Sequence, residues 1–304
     1  MSMDPNAVVR SGFVALVGRP NAGKSTLTNA LVGVKVAITS NTPQTTRHRL
    51  RAVIDLEDAQ IVIVDTPGMH KPQDALGEEL NRSSMLALSD VDVACLVIDA
   101  SVKVGKGDKW VAHRVLESSA KKVLVLTKAD LVSQEEMADR LHFAQTLGEF
   151  DDVVVVSAVE GFNLGGFVET VKRYLPDGPR YFPRDMPTDQ PLGVMLAEFI
   201  REKVLRNTRD EVPHAIGVEI EDLEASADGE HTTVQAIIYV ERESQKGIII
   251  GKGGEMIRRI GTEARGDLER LLGTKVFLDL RVKVKKDWRR DASQIRRFGY
   301  GEGL

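Results

Sequence analysis

The chain has 304 residues, 42% of them apolar and 28% charged, proportions that exclude a disordered or fibrous protein and leave room for two domains. The net charge is −4 and Cys95 is the sole cysteine, which excludes an intrachain disulfide and a cysteine metal site. The sequence shows neither a run of about 18 apolar residues nor a basic, apolar leader, so a cytoplasmic protein is expected.

Apolar runs of strand length stand at 13–17, 61–64, 93–98, 123–126 and 153–156, separated by stretches of helical spacing. Being apolar on both faces, they suit the interior of a mostly parallel sheet covered by helices. Cys95 lies in the third run and is read as a buried strand residue.

The first run leads into Gly18-Arg19-Pro20-Asn21-Ala22-Gly23-Lys24-Ser25, followed by Thr26 and a helical pattern. This strand, loop and helix match the phosphate-binding pattern G-x-x-x-x-G-K-S. Its glycines let backbone N–H groups surround phosphates at a helix N-terminus, with Lys24 on the terminal phosphates and Ser25 on magnesium. Asp65-Thr66-Pro67-Gly68 closes the second run, where Asp65 can hold the same ion directly or through water. After the fourth run, Thr127-Lys128-Ala129-Asp130 offers a carboxylate able to accept from both guanine N1–H and the exocyclic amine, a donor pair that adenine lacks. Ser157-Ala158 ends the fifth run and would bring backbone groups to the base. Each short motif taken alone also reads as a turn after a strand; in this order they define one nucleotide site at one edge of the sheet.

Five prolines, at 176, 179, 183, 187 and 191, interrupt the pattern, so no helix or strand ladder is expected there, and a linker at 176–191 separates domains at 1–175 and 192–304. The second domain reads as a helix at 192–205, strands at 215–221 and 232–241, a glycine-rich turn, a helix at 256–272, a strand at 275–284 and a short terminal helix. That order, α-β-β-α-β-α, is a small α+β domain. Residues 192–240 carry 4 Lys+Arg against 10 Asp+Glu and residues 241–304 carry 16 against 10, so the acidic total conceals a basic segment.

Within that segment Gly251-Lys252-Gly253-Gly254 forms G-x-x-G, the loop that clamps about four nucleotides in KH domains. Ile249, Ile250 and Ile257 are expected to form an apolar floor beneath the bases, and Lys246, Lys252, Arg258 and Arg259 to attract phosphates. A glycine turn joining two helices explains the motif equally simply. Phe277, Trp288, Phe298 and Tyr300 all lie beyond the loop, so apolar contact rather than stacking is expected. The basic run Lys283, Lys285, Lys286, Arg289 and Arg290 reads as solvated surface or as an extension of the RNA path.

The string GRPNAGKS, then Gln44-Thr45-Thr46-Arg47, DTPG, TKAD and SA, resembles the translation-factor-related small GTPases and most nearly the bacterial Era family, over nearly the whole chain. The resemblance implies an α/β P-loop GTPase domain, with a mostly parallel sheet and helices on both faces, followed by a small α+β KH domain that binds RNA. It implies GTP and GDP as nucleotides, Mg2+ as cofactor, and slow hydrolysis with Lys24, Thr46 and Gly68 at the reacting phosphate. Ala22, Thr26, Thr66 and Pro67 complete the nucleotide contacts. Residues 37–51 are similar to the first switch, with Thr46, or else Thr45, on magnesium and the γ-phosphate, and Asn21 matches an asparagine that holds K+ in related GTPases.

Two positions depart from this pattern. Met69 stands where Ras-like proteins carry a water-orienting glutamine, and Thr127 where the family usually has asparagine, a shorter reach that would weaken affinity without redirecting base choice. The implied ligand is the single-stranded 3′ end of small-subunit (16S) ribosomal RNA, the implied role 30S subunit assembly, and a monomer is expected. Two alternatives remain: a nucleotide-stabilised RNA-binding protein with negligible turnover, and a peripheral switch at the inner membrane face, for which the sequence has no lipidation motif or basic amphipathic helix.

Overall fold

The computed structural model describes residues 8–72 and 74–300. The five apolar runs form β1 (Val9–Gly18), β3 (Ala59–Asp65), β4 (Val93–Asp99), β5 (Lys121–Thr127) and β6 (Asp152–Val155). They pair in parallel in the order β3-β1-β4-β5-β6, and β2 (Leu50–Asp55) adds antiparallel to the outer edge of β3. Helices cover both faces, as strands without a polar side require. Leu27 of α1 (Lys24–Val32) and Phe167 and Val171 of α5 (Leu164–Lys172) pack on one face. Leu88 of α2 (Ala75–Ser89), Val111 and Val115 of α3 (Lys106–Leu116) and Ala144 of α4 (Gln134–Gln145) pack on the other. Cys95 is fully buried in the first of these cores, and burial pushes its thiol pKa up.

Two expectations are corrected in this half. β2 is a strand that the five apolar runs do not include: Leu50, Ala52 and Ile54 pack into the core from one face of this edge strand, and Val53 is buried on the other. The proline-rich segment does join the sheet: β7 (Asp177–Gly178) pairs antiparallel with the start of β1, and Thr188 bridges Ala52. The prolines stand around these pairs rather than in them, so no ladder hydrogen bond needs a missing N–H.

The remainder starts with α6 (Leu192–Asn207). A second sheet follows, ordered β10-β9-β8, with β8 (Gly217–Ala225) antiparallel and β10 (Lys275–Val284) parallel to β9 (His231–Val240). The order along the chain differs from expectation by one helix: α7 (Glu243–Ile250) precedes the glycine turn, and α8 (Glu255–Leu272) follows it. Gln245 starts α7 by accepting from the backbone N–H groups of Glu241 and Arg242. The β-branched isoleucines of α7 obscure that helix in the sequence. α6, α7 and α8 cover one face of the small sheet, with Phe199, Ile200, Ile249, Ile260, Ala264 and Leu268 in its core.

The two halves meet over a fourth apolar cluster. Leu76 and Leu80 of α2 pack with Ile237 and Tyr239 of β9, and with Trp288, Ile295, Phe298 and Tyr300 around α9 (Ala292–Arg297). Each such large side chain contributes about 1.5–3 kcal/mol by leaving water. Three of the four aromatics beyond the glycine turn are thus consumed by this junction. No helix among the described residues is long and apolar enough to cross a membrane.

Candidate functional site

The glycine-rich loop connects β1 to α1 at the carboxyl edge of the large sheet, facing a cavity of about 460 Å³. Asn21, Gly23, Lys24, Ser25, Thr26, Thr46, Gly68 and Lys128 line it, as their motifs require. Gly68 must be glycine for close approach, since a Cβ there would lie 2.5 Å from the backbone of Pro20. The Met69 amide donates to Gly18 O (3.0 Å), which ties the two loops together. Lys24 Nζ donates to the carbonyls of Gly18 and Arg19 at 3.2 and 2.9 Å. Burial lowers its pKa to about 8, against the pull of Asp65.

Asp65 is fully buried near the Ser25 hydroxyl and the Thr66 amide, and neither carboxylate oxygen makes a hydrogen bond of ordinary geometry in the protein. Burial raises its pKa to about 6 despite the nearby Lys24 charge. A buried, unpartnered carboxylate is costly unless something cationic joins it. Ser25 Oγ and Thr46 Oγ1 stand 2.7 Å apart beside it, and an all-oxygen set of this kind suits a hard divalent cation. The adjacent threonines are separated here. Thr45 turns its hydroxyl inward to Thr42 O and Ser40 Oγ (both 2.6 Å), leaving Thr46 to face Ser25.

Several predicted residues sit beneath the cavity rather than on it. Thr66 Oγ1 donates to Leu16 O (2.8 Å), and Pro67 O accepts from Ser84 Oγ (3.0 Å). Ala22 is buried over Thr127, whose hydroxyl donates to Ala22 O at 2.7 Å and to Ile98 O at 3.2 Å. Threonine therefore braces the phosphate loop despite its shorter reach. Lys128 pairs with Asp99 (2.5 Å), and Ser157 Oγ donates to Asp130 Oδ1 (2.5 Å), fixing the carboxylate. Ala158, next to Ser157, is partly buried against the core. Asn21 Nδ2 donates to Asn41 O at 2.7 Å. Met69 is buried in the core, so its side chain cannot touch a water in the cavity.

Sequence reading missed Gln44 and Arg206 on the cavity wall, and His70, whose Nε2 lies 2.5 Å from Gln44 Nε2. Gln44 stands beside the switch threonines and could have been found. Arg206 belongs to α6, far along the chain, and carries no local signal.

The second site surrounds the turn between α7 and α8. Gly251, Gly253 and Gly254 all have positive φ, and a Cβ on Gly251 would lie 2.7 Å from that of Met256. Lys252 is exposed, whereas Arg258 folds back to the carbonyls of Gly254 (3.1 Å) and Gly253 (2.6 Å), and Arg259 pairs with Glu263 (3.1 Å). Lys246, on α7, is partly exposed. Ile249 is fully buried in the core and cannot underlie a base. The helical turn presents Ile248 instead, while Ile250 and Ile257 are partly buried.

A groove of about 270 Å³ runs between α8 and β10, lined by Ile257, Arg258, Gly261, Thr262, Arg265, Phe277, Leu278 and Leu280. Phe277 is 67% exposed at its edge, so one aromatic face is available after all. Much of the basic run serves the fold: Lys283 pairs with Glu221, Arg289 with Asp74 and Glu241, and Lys285 lies over the Tyr239 ring.

The strand-loop-helix phosphate cradle, the loops that follow β3, β5 and β6 at the same sheet edge, and a G-x-x-G turn beside a groove together define a P-loop GTPase joined to a KH domain. Residues 13–128 match the model of the 50S ribosome-binding GTPase family and residues 211–289 that of the KH domain. The chain is 48% identical over 295 residues to the GTPase Era of Mycolicibacterium paratuberculosis, covering 96% of this chain and 99% of that protein, and equally to that of Mycobacterium avium. It is also similar to a crystal structure of Era in complex with MgGDPNP and nucleotides 1506–1542 of 16S ribosomal RNA, with TM-score 0.94, 37% identity, and coverage of 97% and 100%. A crystal structure of a variant of Aquifex aeolicus Era bound to GDP.AlF4- gives TM-score 0.93 at the same identity and coverage. The chain belongs to the Era GTPase family.

The Thr127 brace carries a prediction. Thr127→Val keeps the shape and removes the hydroxyl, leaving Ala22 O without its buried donor, so GTP affinity should fall roughly tenfold, equivalent to about 1.4 kcal/mol. Titration with a fluorescent nucleotide checks this, and Thr127→Ser should retain most of the affinity.

Proposed function

We infer that this protein is a GTP-controlled RNA clamp that takes the single-stranded 3′ end of 16S ribosomal RNA and acts in 30S subunit assembly. In this reading residues 1–175 form the GTPase domain, 176–191 the linker and 192–304 the KH domain. Lys24 and the loop amides bind the phosphates, Thr127 braces that loop from beneath, Ser25, Thr46 and Asp65 hold Mg2+, and Lys128, Asp130, Ser157 and Ala158 bind the base. Mg2+, when bound, supplies charge stabilisation to the β- and γ-phosphates. Lys24 adds to it, Thr46 and Gly68 place the switch loops against the reacting phosphate, and hydrolysis is slow because Met69 orients no water. Asn21 is the residue through which K+ would act. RNA enters across Lys252 and Gly253 into the groove beside Ile257 and Phe277.

The observation that carries this reading is the position of Arg47. It directly follows Thr46, yet its guanidinium donates to Ile216 O (2.5 Å) and His214 O (3.0 Å) of the second half and lies over the rings of Trp288 and Tyr300. A switch that rearranges with its nucleotide would thus pull on the RNA-binding half. Steady-state hydrolysis tests this, with ATP as control and with or without RNA copying the 16S 3′ end. GTP alone should be cleaved and the RNA should change the rate. Equal cleavage of ATP would overturn the base assignment; RNA that neither binds nor alters turnover would overturn the clamp.

A further inference from the structure

Among the described residues, the wall of the nucleotide cavity is not built by the GTPase half alone. Ile38, Thr39, Ser40 and Asn41 line it together with Arg206, the penultimate residue of α6. Glu202 lies one turn earlier and is fully buried. Its Oε1 accepts from the Thr39 amide at 2.9 Å, while Arg206 Nε and Nη2 donate to Thr39 O at 3.2 and 3.1 Å. Arg206 and Glu202 also pair with each other at 3.0 Å. One i, i+4 pair on a helix of the second half therefore holds both polar groups of Thr39, much as a neighbouring strand would.

The same cluster reaches the RNA turn. Glu202 Oε2 pairs with Lys35 (2.5 Å) and Lys203 (2.7 Å), and both lysines also pair with Asp267 of α8. α8 starts immediately after Gly254 and runs without interruption to Asp267, about 18 Å at 1.5 Å per residue. One rigid helix thus has its N-terminus at the glycine turn and grips Lys35, at the root of the first switch, near its other end. Buried ion pairs of this kind have discrete arrangements and resist gradual deformation.

We propose that Glu202 and Arg206 are positioning residues for the GTP reaction: they hold the Thr39 peptide as a wall of the nucleotide cavity, so that RNA on the KH half sets nucleotide retention through α8 and α6. This rests on the coupled-switch reading above and assigns the coupling to one pair of side chains. Arg206 is the residue to change, because its side chain is 47% exposed and its removal strands no buried cation.

The test measures dissociation of fluorescent GDP and of a non-hydrolysable GTP analogue from the full chain by stopped flow, with and without the 16S 3′-end RNA. Wild type, Arg206→Ala, Arg206→Lys and Glu202→Gln are compared. Arg206→Ala should speed dissociation about tenfold, as expected for the loss of the two hydrogen bonds that hold Thr39 O, and its rate should no longer respond to RNA. Arg206→Lys should recover part of both, and Glu202→Gln should resemble Arg206→Ala. In the Arg206 variants RNA affinity and thermal midpoint should stay near wild type, whereas Glu202→Gln, which leaves the buried Lys203 with Asp267 as its one remaining anion, should also lower the midpoint. A response to RNA in Arg206→Ala equal to that of wild type overturns the proposal and leaves the coupled switch standing. Parallel loss of RNA affinity and thermal stability in Arg206→Ala marks a purely structural role and also overturns it. A wild type that ignores RNA overturns the coupled-switch reading itself.

Discussion

Asp130→Asn should lower the affinity for GTP by about 100-fold or more and make xanthosine triphosphate the preferred nucleotide. Asp130 has acceptors only, and Ser157 Oγ occupies one of them at 2.5 Å, holding the carboxylate in a single orientation. The remaining lone pairs suit the N1–H and exocyclic amine of guanine. An asparagine turns one acceptor into a donor aimed at a donor, which loses a charge-assisted hydrogen bond and strands a buried amine. That costs roughly 3 kcal/mol, or more than 100-fold. Xanthine replaces the amine with a carbonyl and accepts from the new amide, so its affinity should rise as that for GTP falls. Competition against fluorescent GDP by the guanosine, xanthosine and adenosine triphosphates reads all three at once. Unchanged GTP affinity in the variant would remove Asp130 from the base site.

The parts of this protein legible in its sequence are those where neighbouring residues act together. The phosphate loop is one continuous string between a strand and a helix, and Asp65, Asp130 and Ser157 each follow an apolar strand, so periodicity and motif place them at the same sheet edge. Thr45 and Thr46 could not be told apart because their difference is made by Ser40 and Thr42, which turn one hydroxyl inward, and by Ser25, which meets the other. Ile248 and Ile249 exchange roles for a similar reason: a run of isoleucines suggests a strand, whereas the Gln245 cap makes it helical and rotates Ile249 into the core. Arg201, Glu202 and Lys203 follow one another on α6 and point in three directions around it, yet all three are buried. Their partners, Thr45, Lys35, Thr39 and Asp267, are remote in the chain, so only the tertiary structure explains three successive charged residues out of water.

The glycine turn gives the second large effect. Gly253 has φ +60, which aspartate tolerates better than most side chains, and no atom lies within 4 Å of where its Cβ would stand. Gly253→Asp should therefore fold with a thermal midpoint close to that of wild type. Gly251 offers no such freedom, since any side chain there meets Met256. The new carboxylate would stand beside Lys252, on the proposed path of the RNA backbone, exchanging attraction for repulsion between two anions. Affinity for the 16S 3′-end RNA should fall about 100-fold, equivalent to about 2.7 kcal/mol. Lys252→Ala removes only one phosphate contact and should weaken binding less, while lowering the slope of log affinity against log salt by about one. Fluorescence anisotropy over a salt series separates repulsion at the turn from loss of a single contact. If Gly253→Asp binds the RNA as wild type does, the RNA does not cross the turn, and the groove beside Phe277 must be entered from its other end.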